Sequence, residues 1–320
     1  LNEKEQFMNH KLILPFFALA LAAMACGIQS ATPIPASPTP DPVTDTPLPP
    51  VPTATSIPPT PSGLTLDMLR NGTYFAPFYN HTVKLVNGAY SEGSGATLYT
   101  VQMLDTVAFG DLNGDGIADA AIILVESGGG SGEFESVVAV LDVGGAPSQA
   151  SQVQLGDRVE IKSMAIDSGT IGLDALVQGP NDPMCCPSQP ETQFFRMVGK
   201  ALWLTRLSSR TPDNQERSIS IAAPADGSSV TNPFTVKGSV TIAPFENTLA
   251  YRLFLPDGTK VNESTLSVDS GGIGGGPGTF SQTFDLSNAG VTGPVVLQFL
   301  DLSAADGSTL ALGSVVLTIH

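Results

Sequence analysis

Basic residues are scarce. Lys and Arg total 14 against 30 Asp and Glu, a formal net charge of −16 over 320 residues. A nucleic-acid binder needs a basic face to displace phosphate counterions, so that class is excluded. The deficit hides no local basic patch: residues 63–212 carry 16 acids and 8 bases, and residues 213–320 carry 10 and 4. Charge of either sign is itself sparse at 14%, while Gly (33) and Pro (26) are plentiful. That balance disfavours an all-helical chain and favours turn-rich β structure. Histidine is limited to His10, His81 and His320, and there is no G-x-S-x-G, no HExxH and no phosphate loop ending in G-K-[ST]. A Ser-His-Asp or Cys-His catalytic set has almost nothing to draw on, and zinc is equally poorly served. His81 reads as a surface or turn residue.

Apolar runs are also short. The longest, Leu12–Met24, falls below the roughly 20 residues that span a bilayer. It follows Met8 and Lys11, with Leu1–Phe7 reading as an overextended start, and has the pattern of a secretory signal over residues 1–25. Ala22-Ala23-Met24-Ala25-Cys26 resembles the lipobox of bacterial lipoproteins, with Ala23 where that family usually has Leu. The resemblance implies diacylation of Cys26 and an extracytoplasmic protein held to the membrane by lipid. Ala23-Met24-Ala25 is also an A-x-A site, so plain secretion is the alternative. Residues 31–62 hold 12 of the 26 prolines and 7 threonines. Such a segment cannot bury enough apolar surface to fold, so residues 26–62 read as a disordered stalk. At about 3.1 Å per residue it reaches on the order of 100 Å.

The expected fold class is mainly β: an α+β-type antiparallel sheet domain over 63–212, then an immunoglobulin-like β-sandwich over 213–320. In the first part Leu64–Leu69 reads as a short helix. Strands are expected at 97–105, 120–125, 136–142, 159–166, 170–176, 193–198 and 201–207. Ala120–Val125 is apolar throughout, the mark of a central strand, and Gly128–Gly132 reads as a hairpin loop. In the second part seven strands fall at 218–222, 234–241, 248–255, 260–268, 279–286, 295–300 and 314–319, with turns at Pro256-Asp257-Gly258 and Asp306-Gly307. With no cysteine in that half, its packing rests on residues such as Val236, Phe254, Phe284 and Leu297.

Ile219–Gly227, Asn232–Gly238, Phe245-Glu246-Asn247 and Gly275–Phe280 resemble the immunoglobulin-like domain found beside bacterial spore-germination proteins. That resemblance implies an extracytoplasmic binding module. The first part resembles a small group of bacterial lipoproteins through Phe109–Gly116 and Asp182-Pro183-Met184-Cys185-Cys186-Pro187. No activity follows from it.

Two features bear on chemistry. Asp111, Asn113, Asp115 and Asp119 stand at positions 1, 3, 5 and 9 of a loop, with Gly116 at 6 and the Ile117 carbonyl available at 7. This set of oxygens fits calcium, and resembles the D-x-[DN]-x-D-G-x-x-D loops of calcium-binding β repeats. Ile122 at position 12 departs from an EF-hand. The alternative is an acidic turn without metal. Cys185 and Cys186 form an even pair once Cys26 is set aside, and an oxidising compartment favours a disulfide between them. Glu126, Glu133 and Glu135 flank the Gly-rich loop and read as solvated loop charge. The functional expectation is a non-enzymatic, membrane-anchored binding or scaffold protein whose partner is an envelope protein or glycan, with the sandwich supplying the adhesive face. The alternatives are a glycan hydrolase using a carboxylate pair and a passive spacer.

Overall fold

The computed structural model describes residues 63–272 and 275–320. The signal segment, Cys26 and the Pro/Thr-rich stalk lie outside them. The chain is mainly β. One five-residue helix, α1 (Leu66–Arg70), starts at Thr65, whose side chain accepts the Met68 N–H as an N-cap. Strands β1 (Thr73–Ala76), β2 (His81–Lys84), β3 (Ala89–Glu92), β4 (Tyr99–Gly110), β5 (Asp119–Ser127), β6 (Phe134–Asp142) and β7 (Pro147–Asp157) follow. Next come β8 (Glu160–Asp167), β9 (Thr170–Val177), β10 (Gln189–Val198), β11 (Ala201–Arg210) and the two-residue β12 (Glu216–Arg217).

The first part has three layers. A five-stranded antiparallel sheet, β3-β4-β5-β6-β7, forms the middle. On one side Ala120, Ile122, Leu124, Val138 and Val140 pack against α1 and the β1–β2 hairpin through Leu69, Tyr74 and Val83. On the other, Ala121, Ile123, Val137 and Ala139 pack against the β8–β11 sheet through Ile171, Leu173 and Phe195. Alternate residues of β5 and β6 thus feed two cores. This explains why those segments read as unbroken apolar runs rather than alternating ones. Fully burying each such side chain contributes about 1.5–3 kcal/mol.

The remaining strands are β13 (Ile219–Ala223), β14 (Ser229–Val230), β15 (Phe234–Val240), β16 (Thr248–Phe254), β17 (Lys260–Ser267), β18 (Gly278–Phe284), β19 (Gly293–Leu302) and β20 (Thr309–Ile319). The sheet β13-β15-β18 faces β17-β16-β19-β20 across one core. β15 shows the alternation of a half-exposed sheet, burying Phe234, Val236 and Val240. Phe284 lies beside Phe234 on β18, and Leu297 and Phe299 of β19 fill the facing positions.

Phe254 departs from its expected core place. It ends β16 facing the first part, where its ring lies 5.3 Å from that of Trp203. Nor does any local pattern announce that the two halves share a sheet. β11 pairs with β20 at Arg206↔Gly313 and Leu207↔Leu312, so β17-β16-β19-β20-β11-β10-β9-β8 is continuous. Leu207, Leu300 and Leu312 form a small core at the junction. The Gln298 side-chain amide donates to the Leu204 carbonyl at 2.9 Å.

Candidate binding face

The turn between β1 and β2 carries Phe78 and Tyr79, 42% and 44% exposed. Their backbone N–H groups donate to the Glu126 carboxylate at 3.2 and 3.3 Å, and the Tyr99 hydroxyl donates to it at 3.1 Å. Glu126 is only 1% exposed. One buried carboxylate with three donors therefore fixes the turn that displays the rings. Beside them, Phe78 stacks on Phe134, and Tyr79, Tyr99, Tyr90 and His81 form a chain of edge and tilted contacts. Burial and the Glu126 charge push the Tyr99 hydroxyl well above the ordinary tyrosine range. The Tyr79 hydroxyl reaches the Gly128 carbonyl at 3.4 Å, and a Cβ on Gly128 would sit 1.5 Å from that oxygen. Only glycine lets the ring lie across the Gly-rich loop.

Arg158 ties the other side of this loop. It pairs with Asp157 at 2.7 Å, donates to the Ser131 carbonyl and donates to the Met184 carbonyl at 3.2 Å. Met184 heads the segment in which Cys185 and Cys186 are joined to each other. Asp182 latches that segment, accepting Gly179 N–H at 2.8 Å, Ser188 N–H at 2.7 Å and the Ser188 hydroxyl at 2.7 Å. Both cysteines are exposed, and Met184 is 65% exposed. The Gly-rich loop thus links the aromatic turn to a small, stiff, sulfur-rich knob. The exposed large apolar side chains gather on residues 63–212; among the described residues of the sandwich only Phe245 is one. The sandwich turns its other large rings inward.

Two glutamates expected as solvated loop charge are buried instead. Glu126 closes β5 as described, and Glu135 (4% exposed) accepts the Val159 N–H at 2.8 Å. Both lie on strands whose two faces are covered, so the Gly-rich loop begins later than its flanking acids suggest. Glu133 keeps its place at the loop. Elsewhere, Glu191 is pushed up to about 7 by burial and lines a 310 Å³ hollow with Asp174 and Glu216. Asp174 there is held by the hydroxyls of Ser163 and Thr192 at 2.8 and 2.7 Å.

The loop between β4 and β5 closes on its own backbone. Asp111 accepts N–H groups of Asn113, Gly114 and Gly116, at 3.2, 2.6 and 2.8 Å. The bond from Gly116 contributes most to holding its carboxyl below the usual range. Asp115 accepts the Ile117 N–H at 2.8 Å and the Asn113 amide at 3.0 Å. Gly114 and Gly116 both have φ of +82°, which suits glycine. Asp119 is held differently. It is fully buried and accepts Leu112 N–H and Asp142 N–H, each at 2.9 Å, and burial pushes its carboxyl up. Among the described residues no group of three or more His, Cys, Asp or Glu side chains converges as a metal site.

Residues 218–308 match the family model described as the immunoglobulin-like domain of bacterial spore germination. The C-terminal sandwich is an immunoglobulin-like domain. A search of the curated proteins finds no match to this chain. In the immunoglobulin-like domain the buried Asp301 pairs with Arg217 of β12, so the match begins beside the ion pair that ties the domain to what precedes it. The aromatic face lies wholly outside the matched residues. Sequence reasoning missed it, although Tyr74-Phe75-Ala76-Pro77-Phe78-Tyr79 was a signal: four of the five tyrosines fall between 74 and 99.

Proposed function

We propose that this protein is an extracytoplasmic binding protein, held to the membrane by lipid on Cys26. It presents the Phe78–Tyr79 turn and the Met184–Cys186 knob to an envelope glycan or protein. The observation that carries this reading is the exposed aromatic turn locked from behind by the buried Glu126. Rings held rigid before contact lose little conformational freedom on binding, and solvent-facing apolar surface of this kind marks an interaction site. The scarcity of histidine supports binding rather than catalysis. The test is a photo-crosslinking residue at position 78 or 184 on intact cells, compared with position 262 on the exposed β17. Crosslinked product at 78 and 184 several-fold above 262 is expected, and a Cys26→Ala chain should leave the membrane fraction. Equal yields at all three positions remove the face from the account, and a membrane-bound Cys26→Ala chain removes the anchor.

We also propose calcium at the β4–β5 loop. Asp111, Asn113, Asp115 and the Ile117 carbonyl offer hard oxygen donors, and Asp119 anchors the loop to β5 and β6. Bound calcium would neutralise the mutual repulsion of the acids and fix the entry to the central strand. A thermal melt in millimolar calcium should run several degrees above one in chelator, and Asp115→Ala should abolish the difference. Coincident melts for the parent chain would leave an acidic turn without metal.

A further inference from the structure

A groove of about 660 Å³ lies where the first part meets the immunoglobulin-like domain. That size is typical of small-ligand sites. Its floor is a cross-strand row on the outer face of the shared sheet: Ala165↔Gly172↔Phe194↔Arg206↔Gly313. The small residues at Ala165 and Gly172 keep one end of the floor low. Gly313 lets β13 close in as the wall, because a Cβ there would lie 2.8 Å from the Ile219 carbonyl oxygen. Phe194 and Arg206 stand between, with the guanidinium carbon 3.7 Å from the ring centroid.

Arg206 is exposed and, like Lys84, Lys200 and Arg210 of the same part, forms no ion pair among the described residues; what sets it apart is its place on the Phe194 ring. The ring beneath it holds the guanidinium flat and leaves its edge N–H groups for a planar bidentate acceptor. The groove's other arginine, Arg196, is already engaged by both oxygens of Asp226. Arg196 with Asp226 and Arg206 with Asp167 leave the groove without net charge, so a single carboxylate on Arg206 is tolerated better there than a dianionic phosphate monoester. The remaining surface mixes hydroxyls, from Ser168, Thr170, Ser220 and Ser314, with apolar Ile221, Pro224 and Val315. The hydroxyls in this lining suit a ligand that is itself hydroxylated.

We propose that this groove binds an acidic saccharide, with Arg206 taking the carboxylate of a uronate and Phe194 holding the guanidinium in place. The site lies apart from the aromatic face and does not depend on it. The test is calorimetric titration of the full chain with oligogalacturonate, its methyl ester and oligoglutamate. The parent chain should bind oligogalacturonate at least tenfold more tightly than either of the others. Arg206→Gln should lose at least tenfold while its melting temperature stays unchanged, Phe194→Leu should lose several-fold, and Phe78→Ala should bind like the parent. Absence of oligogalacturonate binding overturns the proposal, as does equal binding of the methyl ester or undiminished binding by Arg206→Gln. Oligoglutamate binding as tightly as the uronate would make the groove a peptide site and overturn it too.

Discussion

Arg217→Met is expected to destabilise the folded chain by about 3–5 kcal/mol, the cost of leaving a buried carboxylate unpaired. Asp301 is 2% exposed, and Arg217 is the cation that pairs with it. Burial pushes the Asp301 carboxyl above its usual value, and Arg217 only partly offsets that. The second carboxylate oxygen, Oδ1, has no hydrogen-bond partner. A methionine side chain keeps most of the aliphatic volume of the arginine stem, so the loss reports charge rather than packing. An exposed pair would cost no more than about 1 kcal/mol. In a folded unit of this size the larger figure corresponds to a fall in melting temperature on the order of 10 °C. The double variant Arg217→Met, Asp301→Leu should recover most of the loss, because replacing both partners removes the uncompensated charge. Denaturant unfolding of the four-member cycle measures this. A single-variant loss below about 1 kcal/mol, the ceiling for an exposed pair, or a double no better than the single, would show that water reaches the pair.

That ion pair also bears on what the sequence could disclose. Most strands of the immunoglobulin-like domain were legible because its outer strands have one wet face, as the alternation of β15 shows, while β19, covered on both faces, reads as an apolar run broken only by Gln298 between Val295 and Leu300. The β5 and β6 runs were legible as central strands because both their faces are covered. β1, β2 and β3 were not legible: each has four residues, too few to show a period. β7 was missed because Ser and Gln dominate Pro147–Asp157, and its strand character comes from pairing with β6 rather than from propensity. The shared sheet rests on two residue pairs, and the Arg217–Asp301 contact spans 84 positions. No local pattern encodes either. The candidate face has the same origin. Glu126 meets Phe78 and Tyr79 from 48 and 47 residues away, so the sequence showed an acid beside glycines and the fold made it a clamp. The Asp111–Asp119 loop, by contrast, is closed almost wholly by its own backbone, which is why it could be read locally.

Glu135→Gln is expected to stabilise the protein at pH 8 and to leave it unchanged near pH 4.5. Burial pushes the Glu135 carboxyl up to about 7 from 4.5, while the Val159 N–H partly opposes the shift and the nearby Glu133 and Asp157 charges add to it. The folded chain therefore holds this proton up to about pH 7, whereas the unfolded chain releases it near 4.5. Between those values the folded state binds more protons, so this group makes stability fall as pH rises. The penalty is complete above pH 7 and absent below 4.5. The glutamine oxygen can still accept the Val159 N–H, so the variant keeps the bond and loses only the charge. Glu191, also pushed up to about 7 by burial, leaves the variant a residual slope in the same direction. Melts of parent and variant from pH 4.5 to 8 should diverge progressively above the lower end, and parallel curves would mean that Glu135 is solvated. The consequence reaches the binding face, because Val159 follows Arg158 directly and Arg158 ties the Gly-rich loop to the Met184 segment. Because the Val159 N–H favours the charged carboxylate, neutralising Glu135 in mild acid should weaken that bond, and amide exchange at Val159, corrected for the intrinsic rate at each pH, should lose protection there even as global stability rises.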